Sequence, residues 1–318
     1  MRCVVVPEHG APQVMVVREA EDPKPHEGEV RLRVQAAGQN YADTLMRLGL
    51  YPGVTVPFVP GMEVAGTVDM VGAGVDWPRP GDRVAALLFE GGGYAELAIA
   101  KARFCVPLPD TWSFEQGAAF LLQHLTAWHA LTTIARAEAG ELVVVHAAAG
   151  GVGGAAVEYA KLLGLSVVAT ASTEEKRAAA RELGADAVCD YEGFVSEVQK
   201  RGGANIVLES VGSHVLKRSL ECLAPLGRLV LLGFASRRPA SLSSADLIMG
   251  SRAVMGFHLR TIASQHNLYR ESASLLMHHV DQGHAHVRIG ARFPLSQATD
   301  AHVHMESRQS HGKILLIP

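Results

Sequence analysis

Along the first hundred positions hydrophobic and polar residues alternate in short stretches such as GEVRLRVQAAG and EVAGTVDMVGAGV. The turn signals YPG, VPG and RPGDRV interrupt them. A period of two broken by glycine and proline predicts short strands and a β-rich, twisted, partly closed domain. Near Ser113 the rhythm changes. SFEQGAAFLLQHLTAWHALTTIA reads as one helix, with Ser113 as N-cap and Gln116 three residues on. Apolar strands then alternate with amphipathic helices: strand Leu142–His146, helix Gly151–Leu163, strand Ser166–Thr170, helix Thr173–Leu183, strand Ala187–Cys189. NIVLES, a helix from about Ser213 to Leu223, and GRLVLLG follow. Such alternation implies βαβ units and a parallel sheet buried on both faces. After Phe257 come a helix over Asn267–Gln282, stopped by Gly283, and a closing strand KILLIP. This tail is too short for a domain of its own. The expected organisation is therefore 1–112, a middle domain 113–257, and a return segment 258–318 that completes the first.

The strand LVVVH runs directly into AAAGGVGG, and a helix begins inside the glycines. Small residues there let the backbone approach a pyrophosphate whose charge rests on the helix N-terminus. Set against G-x-G-x-x-G, the first glycine is Ala148 and the others are Gly150 and Gly153. A glycine pattern between a strand and a helix, inside a run of βαβ units, points to a dinucleotide site. Ala149, Gly150, Gly151 and Val152 are its turn residues.

About twenty residues further on, a carboxylate would hold an NAD ribose diol. The chain reads VVATASTEEKRAAARELGA there, ending the strand in Thr170, Ala171 and Ser172 with no acid at the tip. Nothing at that tip repels a 2′-phosphate, and Lys176 stands one turn into the helix, which favours NADPH over NADH. In the alternative, Ser172 and Glu175 are a capping box and Lys176 is a solvated helix residue. Glu174 and Glu175 also add negative charge nearby.

Composition narrows the classes. The 318 residues leave room for two cores. The 29 basic and 32 acidic residues form no basic block, so no nucleic-acid partner is expected. No run of about 18 apolar residues predicts a membrane span. The start MRCVVVPEHG does not read as a signal peptide. Cys3, Cys105, Cys189 and Cys222 lie far apart with no CxxC pair and read as reduced thiols of a cytoplasmic protein.

NYADTLMRLGLYPG, PGMEVAGTVDMVGAGV, GDRVAAL, GGGYAEL, HAAAGGVGG and ESRQSHGKILLIP together resemble the quinone oxidoreductases. These are a zinc-free branch of the medium-chain dehydrogenase/reductase superfamily. The resemblance runs over essentially the whole chain. It implies an α/β protein with a GroES-like catalytic domain built from both chain ends. Between them it implies a Rossmann domain with a doubly wound parallel sheet, and a cleft for NADPH. Lys176 and Tyr191 match positions that bind the 2′-phosphate, with Ser172 beside them. Arg308 and Lys313 match C-terminal residues that reach the cofactor, and Asn40 and Thr126 match positions near the nicotinamide. Ser210–Val211 and Gly233–Ser236, including Phe234 and Ala235, match loops passing that half. Thr170 and Phe257 are further cofactor contacts, and the strand Ala253–Phe257 is expected to pair across a two-fold axis in a homodimer.

Zinc relatives use an early cysteine, a histidine in GHE and a third ligand past the first domain. Here Asn40, Met62 and LLQHLTAW stand in those regions. An amide and a thioether are poor zinc ligands, so no metal is expected. Glu63 reads as a general base or, preferably, as a backbone-bonding carboxylate. The pairs His284/His286 and His302/His304 read as surface residues rather than a chelate, together with His278, His279 and His311. His124 and His129 read as structural or cleft-lining.

Without a Lewis acid, the chemistry must suit a bare hydride donor, and a quinone or a carbonyl conjugated to a double bond accepts hydride by delocalising charge onto oxygen. Asn40 and Tyr51 are the candidate catalytic residues, with Tyr41 beside Asn40. Some relatives carry an additional tyrosine where this chain has Leu45, which makes the expected pocket more apolar. The expected activity is NADPH-dependent, zinc-independent quinone reduction. Reduction of α,β-unsaturated aldehydes or ketones is the alternative, followed by a non-enzymatic NADPH-binding role.

Overall fold

In the computed structural model, which describes residues 1–238, 241–307 and 309–318, six strands of the middle of the chain form one all-parallel sheet. Its order is Ala187–Cys189, Ser166–Thr170, Leu142–Val145, Ala204–Glu209, Leu223–Leu231 and Ala253–Gly256. Numbered along the chain, that is 3-2-1-4-5-6, the doubly wound order of a dinucleotide-binding fold. The strands are near-continuous apolar runs because helices cover both faces. Val144, Val168, Val207 and Leu229 are fully buried, and Phe194, Leu216 and Leu220 pack against them from the helices. This compact unit comprises Gln123–Ile262 and Ser274–His286. The α/β class read from the sequence is the class observed.

The other unit comprises Met1–Leu122, Ala263–Ala273 and Val287–Pro318. Its sheet runs Ile289–Pro294, Lys313–Ile317, Glu29–Gln39, Glu63–Val71, Arg83–Leu87, Cys105–Pro107, with Leu97–Lys101 also paired to Glu29–Gln39. The C-terminal strand lies antiparallel to Glu29–Gln39, with Ile314 opposite Gln39. Alternation does the sorting: Val30, Leu32 and Val34 point into a core with Val64, Val68, Val84 and Ile314, while Arg31 and Arg33 meet Asp69 outside.

The single helix expected from Ser113 is broken. Phe114–Ala118 is a short helix with the expected Ser113–Gln116 capping box, and a second helix starts at Leu121 and runs to His129 before a π-turn over Ala130–Ile134. The first piece is pressed onto the sheet. A Cβ on Gly117 would lie 2.9 Å from Ala65 and Leu108, and one on Gly38 would lie 2.1 Å from the Ala118 carbonyl. The restart is stabilised from outside the segment, because the Glu63 carboxylate accepts the Leu122 N–H at 3.0 Å. Among the described residues no helix is long and apolar enough to cross a membrane.

Candidate cofactor and active site

The carboxyl ends of the parallel strands gather the expected cofactor residues. Thr170 ends its strand, Tyr191 follows Ala187–Cys189, and Ser210–Val211 follow Ala204–Glu209. Gly233, Phe234 and Ala235 follow Leu223–Leu231, and Phe257 follows Ala253–Gly256. In open α/β sheets, ligands bind outside the carboxyl ends where the strand order reverses. Here that switch lies between Leu142–Val145 and Ala204–Glu209, and the glycine turn stands on it.

The turn has the geometry an anion seat needs. Ala147 takes a positive φ of 52°, Gly150 N–H returns to the Ala147 carbonyl at 2.9 Å, and Gly150 is the N-cap of the helix Gly151–Leu162 without any side-chain cap. Its first-turn amides are therefore not claimed by a capping side chain, and their partial positive charge faces the turn. A Cβ on Gly153 would lie 2.3 Å from the Ala147 carbonyl oxygen and 2.9 Å from Ala148 Cα, so strand and helix approach too closely for any side chain. Ala149, Gly150, Gly151 and Val152 are all partly open to solvent, while Ala148, in the place of the first glycine, is buried beneath them. These residues fit a pyrophosphate.

The tip of Ser166–Thr170 differs from the alternative reading. Thr173, not Ser172, is the N-cap of the helix Glu174–Glu182, its hydroxyl accepting the Lys176 N–H. Ser172 stays exposed at the tip, and Lys176 is half-buried on the first turn. The negative charge of Glu174 is answered locally: Arg177 and Arg181 both bind it, at 2.9 and 2.8 Å, and hold its carboxyl below the usual range. Tyr191 lies on the imidazole of His146, ring centroids 5.9 Å apart, and Arg218 donates to its carbonyl. Thr126 is half-buried on the helix Leu121–His129.

In the first unit Asn40 is the N-cap of the helix Tyr41–Arg47 and is buried. Lys313 Nζ donates to Asn40 Oδ1 at 2.6 Å and to Glu63 Oε2 at 2.5 Å, with all three side chains buried. Glu63 therefore bonds backbone at one oxygen and an ammonium at the other. Lys313 is turned into this cluster, which also fixes the Asn40 carboxamide. Asp43 accepts from the backbone N–H groups of Asn40 and Gly61 at 2.8 and 3.0 Å, and burial pushes its pKa up to about 6. Tyr51 sits half-exposed in the turn after that helix. Leu45 is buried on it. Arg308 lies outside the described residues.

Several side chains of consequence escaped the sequence reading. His146 bonds Thr170 Oγ1 and Ser219 Oγ, both at 2.8 Å, and Ser219 bonds Glu209 Oε2 at 2.9 Å. Burial holds the His146 pKa down, so the ring is neutral. His302, read as a surface residue, is wholly buried; Arg47 donates to its Nδ1 at 3.3 Å and also pairs with Glu306. Burial and that guanidinium push its pKa down to about 3. His279 and His284 face each other at 3.3 Å, and His286 binds Glu158 at 2.7 Å. His124 is structural, bonded to the Tyr159 hydroxyl. Among the described residues no three His, Cys, Asp or Glu side chains come together as a metal-holding group.

A doubly wound nucleotide unit and a sheet unit that carries an Asn40–Glu63–Lys313 cluster are the two parts of the medium-chain dehydrogenase/reductase class. Known proteins bear this out. The Alcohol dehydrogenase GroES-like domain matches residues 26–110, and the Zinc-binding dehydrogenase family matches 151–277. A quinone oxidoreductase of Pseudomonas aeruginosa is 35% identical over 316 residues, covering 98% of this chain and 97% of that one. The crystal structure of Escherichia coli quinone oxidoreductase complexed with NADPH superposes with a TM-score of 0.96 at 32% identity, covering all of both chains. A mycobacterial protein solved with NADPH superposes with a TM-score of 0.96 at 34% identity, again over both whole chains. The chain belongs to the quinone oxidoreductase family.

Proposed function

We propose that this chain is an NADPH-dependent, zinc-independent quinone oxidoreductase. The observation that carries it is the glycine turn at the switch point of a parallel sheet whose neighbouring strand tip holds no acid. In this reading residues 113–257 make up the NADPH-binding domain and 1–112 with 258–318 the catalytic domain. The compact units differ in putting the residues up to Leu122 with the first unit and Ser274–His286 with the nucleotide unit. Gly150, Gly151 and Val152 seat the pyrophosphate, with Ala149 beside them. Ser172, Lys176 and Tyr191 take the 2′-phosphate, and Thr170, Ser210, Val211, Gly233, Phe234, Ala235 and Phe257 line the dinucleotide. Arg177 and Arg181 support this choice by neutralising the negative charge of Glu174 on the turn that carries Lys176. Asn40, Thr126, Arg308 and Lys313 complete the cofactor set. When bound, NADPH supplies the hydride.

The donor set at the superseded zinc position supports metal-free chemistry. The buried thioether of Met62 and the amide of Asn40 are weak ligands, and the Lys313 ammonium already occupies the oxygens of Asn40 and Glu63. A divalent cation there would meet a buried positive charge. The protein's own contribution is then to orient and to move a proton. Lys313 locks the Asn40 carboxamide, and Tyr51 or water delivers a proton to the reduced acceptor's oxygen. Leu45, apolar and buried, favours a second reading, reduction of enones or alkenals with the same residues.

Lys176→Ala is expected to raise KM for NADPH by about tenfold or more and to leave KM for NADH within about twofold, since it removes one charge-assisted contact to a group NADH lacks. Steady-state kinetics with both cofactors checks it; equal effects on the two would contradict the 2′-phosphate role. The four free thiols, three of them buried, support a cytoplasmic setting. Ala253–Gly256 is the outermost strand of its sheet, and Ile248 and Met249 stand exposed in the helix before it. An open edge beside an apolar patch supports a homodimer. Light scattering that returned the mass of one chain would overturn that.

A further inference from the structure

Beneath the nucleotide unit's switch point lies a buried polar chain of which the reading above uses only the end, Thr170. Glu209 ends its strand with no exposed surface. Its Oε1 accepts the N–H groups of Val211 and Gly212 at 2.5 and 2.9 Å, and its Oε2 accepts the Ser219 hydroxyl. Ser219 is backed by His146, and His146 by Thr170. A neutral imidazole satisfies every group if Nε2 carries the proton toward Ser219 and Nδ1 accepts from Thr170.

The loop so held is stitched to a second one. The carbonyls of Ser210 and Val211 accept the N–H groups of Ala235 and Ser236 at 2.9 and 2.8 Å, and Ser213 N–H reaches the Arg238 carbonyl at 3.2 Å. Gly212 sits at φ 79°, ψ −162°, a conformation suited to glycine alone. A Cβ there would press on Phe234 and Ser236 at 3.1 and 3.2 Å. Both loops lie at the carboxyl ends of adjacent strands, Ala204–Glu209 and Leu223–Leu231.

We propose that Glu209, through Ser219 and His146, is a positioning residue that pins the loops Ser210–Gly212 and Gly233–Ser236 for the nicotinamide half of the dinucleotide. The proposal rests on the NADPH reading. Glu209 does not touch the cofactor; it fixes what does. Its four lone-pair sites serve two backbone N–H groups and one hydroxyl at once. A glutamine keeps one acceptor oxygen for the two amides but turns an NH2 toward Ser219, whose hydroxyl must then give up the carboxylate for the Val215 carbonyl it also reaches at 2.8 Å. Glu209→Gln thus loses the charge-assisted strength of all three bonds, and the loops loosen. The adenosine half is held at the other side of the switch point. The chain reaches it only through His146, against which Tyr191 packs, and Glu209→Gln leaves His146 bonded to Thr170 and Ser219.

The test compares binding of NADPH with binding of 2′,5′-ADP, which carries the adenosine half alone. Calorimetric titrations of the full-length wild-type, Glu209→Gln and Ser219→Ala proteins supply both constants. The expected result for Glu209→Gln is an NADPH Kd raised about tenfold with the 2′,5′-ADP Kd within about twofold of wild type. Ser219→Ala, which keeps the carboxylate and removes the hydroxyl it shares with His146, should move the same way by a smaller factor, and it serves if Glu209→Gln does not fold. With a quinone, kcat should fall while KM for the quinone holds, as misplacement of a bound donor requires. Equal weakening of both ligands would mean general damage and overturn the proposal, as would unchanged NADPH binding in both variants. A wild-type protein that binds 2′,5′-ADP but not NADPH would likewise overturn it, whereas one that binds neither ligand would overturn the NADPH reading itself.

Discussion

Lys313→Met is expected to destabilise the protein by about 3–5 kcal/mol, the range for removing one partner of a buried ion pair. The size follows from what remains behind. The Glu63 carboxylate would stay fully buried with only the Leu122 N–H and a 3.4 Å approach from Asn40 Nδ2, while Asn40 Oδ1 would lose its donor. Glu63→Leu should cost a similar amount for the mirror reason, leaving an ammonium buried and an amide of the restarted helix unbonded. The double variant Lys313→Met/Glu63→Leu should be less damaged than the sum of the two, because neither charge is then stranded. Denaturant unfolding of the four proteins closes the cycle. Single variants within about 0.5 kcal/mol of wild type, the ordinary effect of a surface change, would contradict this picture of the cluster.

At the glycine turn the expected loss is of binding. Gly153→Val should weaken NADPH by about 100-fold or more, since its Cβ would sit 2.3 Å from a backbone carbonyl and the turn must open to admit it. Gly151→Ala makes the informative contrast. Its Cβ would lie closer still, 1.8 Å from Gln123 Oε1, but the obstacle is the tip of a side chain rather than the backbone of the turn. Its effect should stay within about fivefold. Fluorescence titration with NADPH, with far-UV circular dichroism to show that both variants fold, decides the matter. The reverse order of the two would place the phosphates elsewhere.

What was legible in the sequence and what was not divides along one physical line. Features set by the local backbone could be read: the glycine turn, the Ser113–Gln116 box, the apolar strands of the parallel sheet, and Gly283 ending its helix at φ 73°. Even here a neighbour decided one detail, because Ser172 and Thr173 both suit an N-cap and only the backbone path selects Thr173. Features set by residues distant in sequence could not. The break after Ala118 depends on Glu63, and the burial of His302 depends on Arg47, each far away along the chain. Glu209 reads only as part of the strand NIVLES, whereas its side chain turns back onto its own loop. Its one local signal was an acid followed directly by the turn SVGS, where a carboxylate bonds the amides two and three residues on. Lys313 was expected from the family alone, and the sequence held no sign that its charge would be shared by Asn40 and Glu63.

The most direct test of the central claim follows loss of the reduced-nicotinamide absorbance with purified, chelator-treated protein, offering a simple quinone and a simple enone in parallel, with NADH as control. The account predicts rapid oxidation of NADPH with the quinone, a slower reaction with NADH, and no loss of activity on chelation. Turnover of the enone alone would move the assignment to enone reduction. Activity that vanished with the chelator and returned with zinc, or no turnover with either acceptor, would contradict the account.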